Sequence, residues 1–79
     1  MRELVEYVAR QLVTEPDAVS VTETEREGDT VLELRVAKVD LGRVIGKEGR
    51  TAKALRAILN AAAARKNRRV VLDIIEDVD

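Results

Sequence analysis

Cysteine, histidine, tryptophan and phenylalanine are all absent from this 79-residue chain, which has one tyrosine, one proline and four glycines. Without cysteine there is no disulfide and no thiolate nucleophile. Without histidine as well, zinc sites of the Cys/His type and imidazole acid–base chemistry are excluded. No apolar run approaches the about 20 residues of a membrane-spanning helix. Met1-Arg2-Glu3 leads directly into an amphipathic pattern, so neither a signal peptide nor a membrane span is expected, and the cytoplasm is the expected location. The length bounds the chain to one small domain with one modest core.

Strong net charge is missing too: the balance is −1. The distribution is more telling. From Lys38 to Arg69 there are ten basic residues and two acids, Asp40 and Glu48, whereas the rest of the chain carries four basic and thirteen acidic residues. A basic stripe on an otherwise acidic chain suggests a directed polyanion site, where one helix face of solvated Lys and Arg would explain the loop charges less well.

Residues 2–13 read as a helix, with Leu4, Val5, Val8, Ala9, Leu12 and Val13 on one face, ended before Pro16. Residues 18–26 read as an edge strand whose far half is polar on both faces. Glu27-Gly28-Asp29 reads as a turn, and residues 30–37 as a second strand with Leu32, Leu34 and Val36 on one face. Asp40 reads as an N-cap. A short helix follows from Leu41 to Ile45, with Gly42 inside it at a cost in stability, marking a close approach by a ligand or another backbone, or loose packing. A longer helix runs from about Arg50 to Lys66, with Leu55, Ile58, Leu59 and Ala62 as its apolar face. A third strand alternates Val70, Leu72 and Ile74 with Val71, Asp73 and Ile75, and Glu76-Asp77-Val78-Asp79 reads as a frayed acidic tail. A strand-helix-helix-strand unit favours a parallel pair with a right-handed crossover.

The two helices meet at Ile45-Gly46-Lys47-Glu48-Gly49-Arg50. Two glycines around two polar residues make a tight joint, because glycine takes positive φ at no steric cost. The first amides of the second helix lack intrahelical acceptors and lie at the positive end of its dipole, which suits an anion. Lys47 and Arg50 add full charges, so the joint is a place to hold a phosphate. A P-loop would need G-x-x-x-x-G-K followed by Ser or Thr, but Gly46-Lys47 is followed by Glu48 and position 41 is Leu. The helix Leu41 to Ile45 is short for a DNA-reading helix-turn-helix. Paired carboxylates for acid–base catalysis are not evident, and no cofactor, metal or small-molecule substrate is expected.

Ile45-Gly46-Lys47-Glu48-Gly49, flanked by helical segments, resembles the I-G-x-x-G signature of KH domains. The wider run Asp40 through Arg56 is similar to the small bacterial single-KH proteins of the KhpA family. The four-residue G-x-x-G alone is a weak signal; the run with its flanks is specific, and the order of elements extends the resemblance over nearly the whole chain. The resemblance implies one KH domain over residues 1–79, of α+β class and type II-like: α-β-β-α-α-β, with a three-stranded mixed sheet and the helices packed on one face. It implies a non-catalytic module whose G-x-x-G loop grips the backbone of about four nucleotides of single-stranded RNA. It also implies a post-transcriptional regulator or RNA chaperone, working as a homodimer or with a larger KH-containing RNA-binding protein. In such folds the segment before the last strand is the variable loop, here the basic run Arg65 to Arg69.

On this reading the phosphate contacts fall to the backbone of Gly46, Lys47, Glu48, Gly49 and Arg50 and to the side chains of Lys47 and Arg50, with Arg43, Lys53 and the variable loop as outer contributors. Arg50, Lys53 and Arg56, three apart, form either a cationic rail or ordinary solvent-face charges. Tyr7 is far in sequence from the joint, so bases are not stacked on aromatics there; the KH resemblance implies instead an apolar groove beside the G-x-x-G loop. Val44 is assigned to that groove, and Ile45 and Leu55 to the core. Glu48 opposes phosphate binding and is expected to point outward while Lys47 faces the ligand. The competing reading is a KH-fold interaction or dimerisation module with weak or no RNA binding of its own, using the edge strand, the first helix, Val71 and Ile75.

Overall fold

A computed structural model describes residues 1–76. Its elements are helix α1 (Arg2–Leu12), strands β1 (Ser20–Arg26) and β2 (Asp29–Val36), helices α2 (Leu41–Ile45) and α3 (Arg50–Ala64), and strand β3 (Val70–Glu76). Short 3-10 turns occupy Pro16–Ala18, Lys38–Asp40 and Lys47–Gly49. The first of these delays β1 to Ser20, two residues later than the alternation suggested. Glu76 belongs to β3 rather than to a tail, and Asp77-Val78-Asp79 lie outside the described residues.

The class is α+β, with the expected order of elements. β1 runs antiparallel to β2 and β3 parallel to it, giving one mixed sheet in the order β1-β2-β3. Glu27 and Gly28 form the hairpin turn with φ of 51° and 86°. Two positive φ values in a two-residue loop match the right-handed twist of the strands. Along β2, Thr30, Leu32, Leu34 and Val36 are buried while the residues between them are half-buried. Leu32, Leu34 and Val36 pack in one core with Val5 and Ala9 of α1, Val44 of α2, Leu55, Leu59 and Ala63 of α3, and Val70 and Leu72 of β3, so all helices cover the same face of the sheet.

The helical faces are narrower than their apolar residues suggest. Only Val5 and Ala9 of α1 are buried, and Leu4 and Tyr7 are exposed. In α3 the buried line is Ala52, Leu55, Leu59 and Ala63, whereas Ile58 is 55% exposed and Ala62 lies outside. Spacings of three and four keep the buried set on one line; Ile58 falls on its flank. The helix also stops earlier than Lys66. Asn67 takes a left-handed φ of 54°, its N–H donates to the Ala64 carbonyl (3.1 Å) and the Arg68 N–H donates to the Ala63 carbonyl (3.0 Å). This pair of bonds is a Schellman closure with Asn in the place usually held by Gly.

Two side chains tie α3 to the outer edge of β3. The Thr30 N–H donates to the Arg69 carbonyl (2.9 Å), so the backbone groups of odd-numbered β3 residues face β2 and those of even-numbered ones face outward. The outward Val70 N–H donates to Asn60 Oδ1 (3.1 Å), and the outward Leu72 carbonyl accepts from Nε and Nη2 of Arg56 (3.2 and 3.1 Å). Arg56 is thus held on the sheet edge rather than free as a third rail member.

Asp40 has a different role from the N-cap assigned above. It makes no side-chain hydrogen bond to α2. Its fully buried carboxylate accepts instead from the Thr14 N–H (2.9 Å), the Thr14 hydroxyl (2.8 Å) and the Glu15 N–H (3.0 Å), with Arg43 Nε at 3.5 Å. One carboxylate therefore pins the loop after α1 to the start of α2 and fixes where the glycine joint begins. Burial pushes its pKa up, but the bonds from Thr14 and Glu15 and the charge of Arg43 outweigh that and hold it below the ordinary carboxylate value. A depressed folded pKa makes this contribution complete above the unfolded pKa of about 4 and lost as pH falls through the lower, folded value. Asp40→Asn is expected to lower the melting temperature at pH 7 by on the order of 10 °C and to flatten the acid limb of stability against pH. Thermal melts from pH 7 down to pH 2 check both; an acid limb as steep as the parent's contradicts the assignment.

Candidate nucleic-acid interface

Three residues of the joint, Gly46, Glu48 and Gly49, take positive φ. Gly46 closes α2 by donating to the Gly42 carbonyl (2.9 Å), then turns to φ 79°, ψ 170°. Glu48 (φ 58°, ψ 24°) and Gly49 (φ 73°, ψ 13°) are both left-handed, and α3 starts at Arg50. A Cβ on Gly46 would run into the Thr51 hydroxyl, 2.7 Å from Thr51 Cβ and 2.8 Å from the Thr51 backbone nitrogen. On Gly49 it would meet nothing nearer than Lys53 Cε at 3.9 Å. The two glycines are required for different reasons: Gly46 for space and conformation, Gly49 for conformation alone. Gly42 has open space where its side chain would be, so no internal backbone contact explains it.

Three of the five amides from Gly46 to Arg50 are engaged within the fold, that of Gly46 at the end of α2. The Gly49 N–H donates to the Gly46 carbonyl (3.1 Å) and the Arg50 N–H to the Lys47 carbonyl, so those two are used inside the turn. The amides of Lys47 and Glu48 stand first in the turn and have no backbone acceptor among the described residues.

Around this turn the cations differ in how committed they are. Lys47 and Lys53 are exposed and pair with no described residue. Arg50 Nη2 lies 3.6 Å from Glu48 Oε2, with both side chains largely in solvent, which is a weak pair. Arg43 leans on Asp40 and Arg56 on the Leu72 carbonyl. In the variable loop, Arg68 Nη1 is 2.9 Å from Glu25 Oε1 across the sheet, while Arg65, Lys66 and Arg69 are exposed. Glu48 partly neutralises Arg50, so Glu48→Gln is expected to tighten binding of a polyanion about threefold at low salt and less at high salt. A fluorescence titration at two ionic strengths checks this.

Beside the turn lies an open groove of about 460 Å³ lined by Ile45, Gly49, Ala52, Lys53, Arg56, Asp73, Ile74 and Ile75. It runs between the start of α3 and the outer edge of β3. The two apolar residues before the joint exchange their expected places. Val44 is 3% exposed and belongs to the core, whereas Ile45 is half-buried and lines the groove. Leu55 is in the core as expected. Asp73 and Ile74 were not singled out as site residues, and Ile75 was assigned only to an interaction surface. Their signal was weak, because β3 is distant in sequence and reaches the joint only through the crossover. Among the described residues no acidic cluster is arranged to hold a metal ion, and no helix is long and apolar enough to cross a membrane.

Comparison with known proteins gives a consistent result. The family model described as "KhpA/KhpB, KH domain" matches residues 2–74. A Clostridium acetobutylicum protein named RNA-binding protein KhpA is 51% identical over 75 residues, covering 95% of this chain and all of that one. Proteins of the same name from Halalkalibacterium halodurans and Aquifex aeolicus are 51% and 50% identical over 76 residues, covering 96% of this chain and 100% and 96% of theirs. A glycine joint, a groove along one sheet edge and similarity over nearly the full length point the same way: this chain belongs to the KhpA/KhpB family of KH domains.

Proposed function

We propose that residues 1–79 act as a single KH domain that binds single-stranded RNA without catalysis. The carrying observation is the groove with the Gly46–Gly49 turn at its mouth: exposed amides and Lys47 for phosphates, then an aliphatic floor of Ile45, Ala52 and Ile74 for bases. The names of the relatives support RNA as the ligand. Arg50, Lys53 and Arg43 add charge at the edge. Val44 contributes from beneath, by setting the angle of α2, rather than by touching RNA.

The test is a titration of fluorescent six-nucleotide RNAs, single-stranded and duplex, across salt. Three phosphate contacts would give log K against log salt a slope of about −2. The expected result is binding of single strands with a slope of that size and far weaker binding of duplex. Absence of binding to any single-stranded pool at low salt would overturn the reading.

We further propose a cytoplasmic post-transcriptional regulator or RNA chaperone that works as a dimer or with a larger KH-containing RNA-binding protein. Tyr7, Ile58 and Leu4, at 65%, 55% and 42% exposure, supply apolar surface on the helical side, away from the open face of the sheet. Light scattering on a gel-filtered sample distinguishes the monomer from the dimer.

A further inference from the structure

A second pocket lies at the other end of α3 from the glycine joint, about 20 Å away along that 15-residue helix. It is smaller and more enclosed than the groove, at about 160 Å³, and Glu23, Thr30, Ala63, Lys66, Arg68 and Val70 line it. In the sheet register Glu23 stands across from Leu32, and Thr30 lies between Glu25 and Val70, so these side chains share the helix-covered side on which Leu32 is buried. Thr30 is only 6% exposed, yet its hydroxyl makes no hydrogen bond with any described residue. No fully enclosed side-chain polar atom among the described residues lacks a partner, so this hydroxyl reaches the pocket space. Valine has the same shape and would fill the position with no polar atom to satisfy; a hydroxyl there costs stability unless something pairs with it.

The charged groups around that hydroxyl are of both signs. Arg68 Nη1 is 2.9 Å from Glu25 Oε1, which orients the guanidinium and leaves Nε and Nη2 for another acceptor. Lys66 is exposed and pairs with no described residue. The Ala63 carbonyl at the end of α3 already accepts from the backbone N–H groups of both residues (2.9 and 3.0 Å), so it does not compete for their side chains. Glu23 is exposed and also pairs with no described residue. A carboxylate accepts hydrogen bonds and donates none. Beside two cations, it matches a ligand with neighbouring O–H donors next to an anion. The 3′ end of an RNA strand has that chemistry, a ribose diol with the last phosphate on the same sugar; inside a strand only the 2′-OH is left to donate. An acid accepting from ribose hydroxyls is also what dinucleotide sites use. The volume has room for about five water molecules, which suits a sugar and leaves the base outside. We propose that this pocket is a subsite for the 3′-terminal ribose of an RNA strand, in which Glu23 accepts from the two ribose hydroxyls, the Thr30 hydroxyl donates to a ribose oxygen, and Lys66 and Arg68 hold the last phosphate. The proposal rests on the RNA-binding reading above.

The test uses the full chain and one single-stranded RNA sequence prepared with a ribose diol end, with a 2′,3′-dideoxy end and as a closed circle. It compares the native protein with Glu23→Ala and Thr30→Val. The native protein is expected to bind the diol end about tenfold more tightly than the dideoxy end or the circle. Both variants are expected to reduce that preference to within about threefold while binding the circle no more weakly than the native protein does. Thr30→Val removes only an unpaired polar atom, so its melting temperature is expected at or above the native value; a lost end preference in that variant is then not a folding defect. Amide spectra are expected to show shifts of Thr30, Lys66 and Arg68 with the diol end that the circle does not produce. If Glu23→Ala binds all three RNAs more tightly by one common factor and keeps the native preference, Glu23 is only a repulsive charge and the proposal is overturned. A native protein that binds all three RNAs equally overturns it as well. If the native protein binds none of them, the RNA-binding reading itself fails and the proposal with it.

Discussion

Gly46→Ala is expected to remove about 3–5 kcal/mol of stability, and Gly49→Ala about 1 kcal/mol. The two positions have similar positive φ, 79° and 73°, so conformational preference alone would predict comparable losses. Space separates them. The methyl group at Gly46 would meet Thr51, including its backbone nitrogen, at the start of α3. The side chain of Thr51 can rotate away, but the backbone of the first turn cannot move without shifting α3. Moreover, φ 79° with ψ 170° lies in a region used almost only by glycine, whereas the φ 73°, ψ 13° of Gly49 is ordinary left-handed helix, which asparagine also tolerates. A chain of this length has about 4–12 kcal/mol in total, so Gly46→Ala takes a large part of it. Urea denaturation of the three proteins checks the difference through the midpoint at constant slope. Equal losses at the two positions would mean that the joint relaxes freely.

Lys47→Asp is expected to weaken single-stranded RNA binding roughly 30-fold at low salt and to leave the fold intact. Lys47 is exposed in the turn and pairs with no described residue, so its removal strands no partner. Reversal changes the local charge by two units beside the exposed amides of residues 47 and 48. At about 4 Å in water each unit is worth about 1 kcal/mol against a phosphate. The loss should shrink as salt rises, and the salt slope should fall by about 0.7 for the contact removed. Circular dichroism and a thermal melt establish that the variant is folded. Unchanged affinity would move the binding site to Arg65, Lys66 and Arg69.

The glycine joint was legible in the sequence because everything that defines it is local: two glycines, their spacing and the amphipathic patterns on either side. Strand pairing was legible for the same reason, through alternation and the Glu27-Gly28 turn. Asp40 was misjudged because its partners, Thr14 and Glu15, lie some 25 residues away in sequence and no local pattern announces them. The neighbours Val44 and Ile45 are equally apolar and about 100° apart on a helix. Which of them faces the core depends on the angle at which Asp40 sets α2, and that is a tertiary fact. Arg56 looked like any solvent cation until the crossover placed the Leu72 carbonyl beside it. The closure of α3 by Asn67 was hidden because glycine is the usual residue there. Two of the misplaced residues, Ile45 and Arg56, line the groove itself.

The central claim is that RNA enters the groove at the Gly46–Gly49 turn. It is tested most directly by two-dimensional amide NMR of the folded protein during titration with a short single-stranded RNA. The account predicts that the largest shifts fall on the amides of Lys47, Glu48, Ala52 and Lys53 and on Ile74 and Ile75 across the groove. Shifts confined to residues 65–69, or to the open face of the sheet around Thr22, Thr24 and Val31, would contradict it.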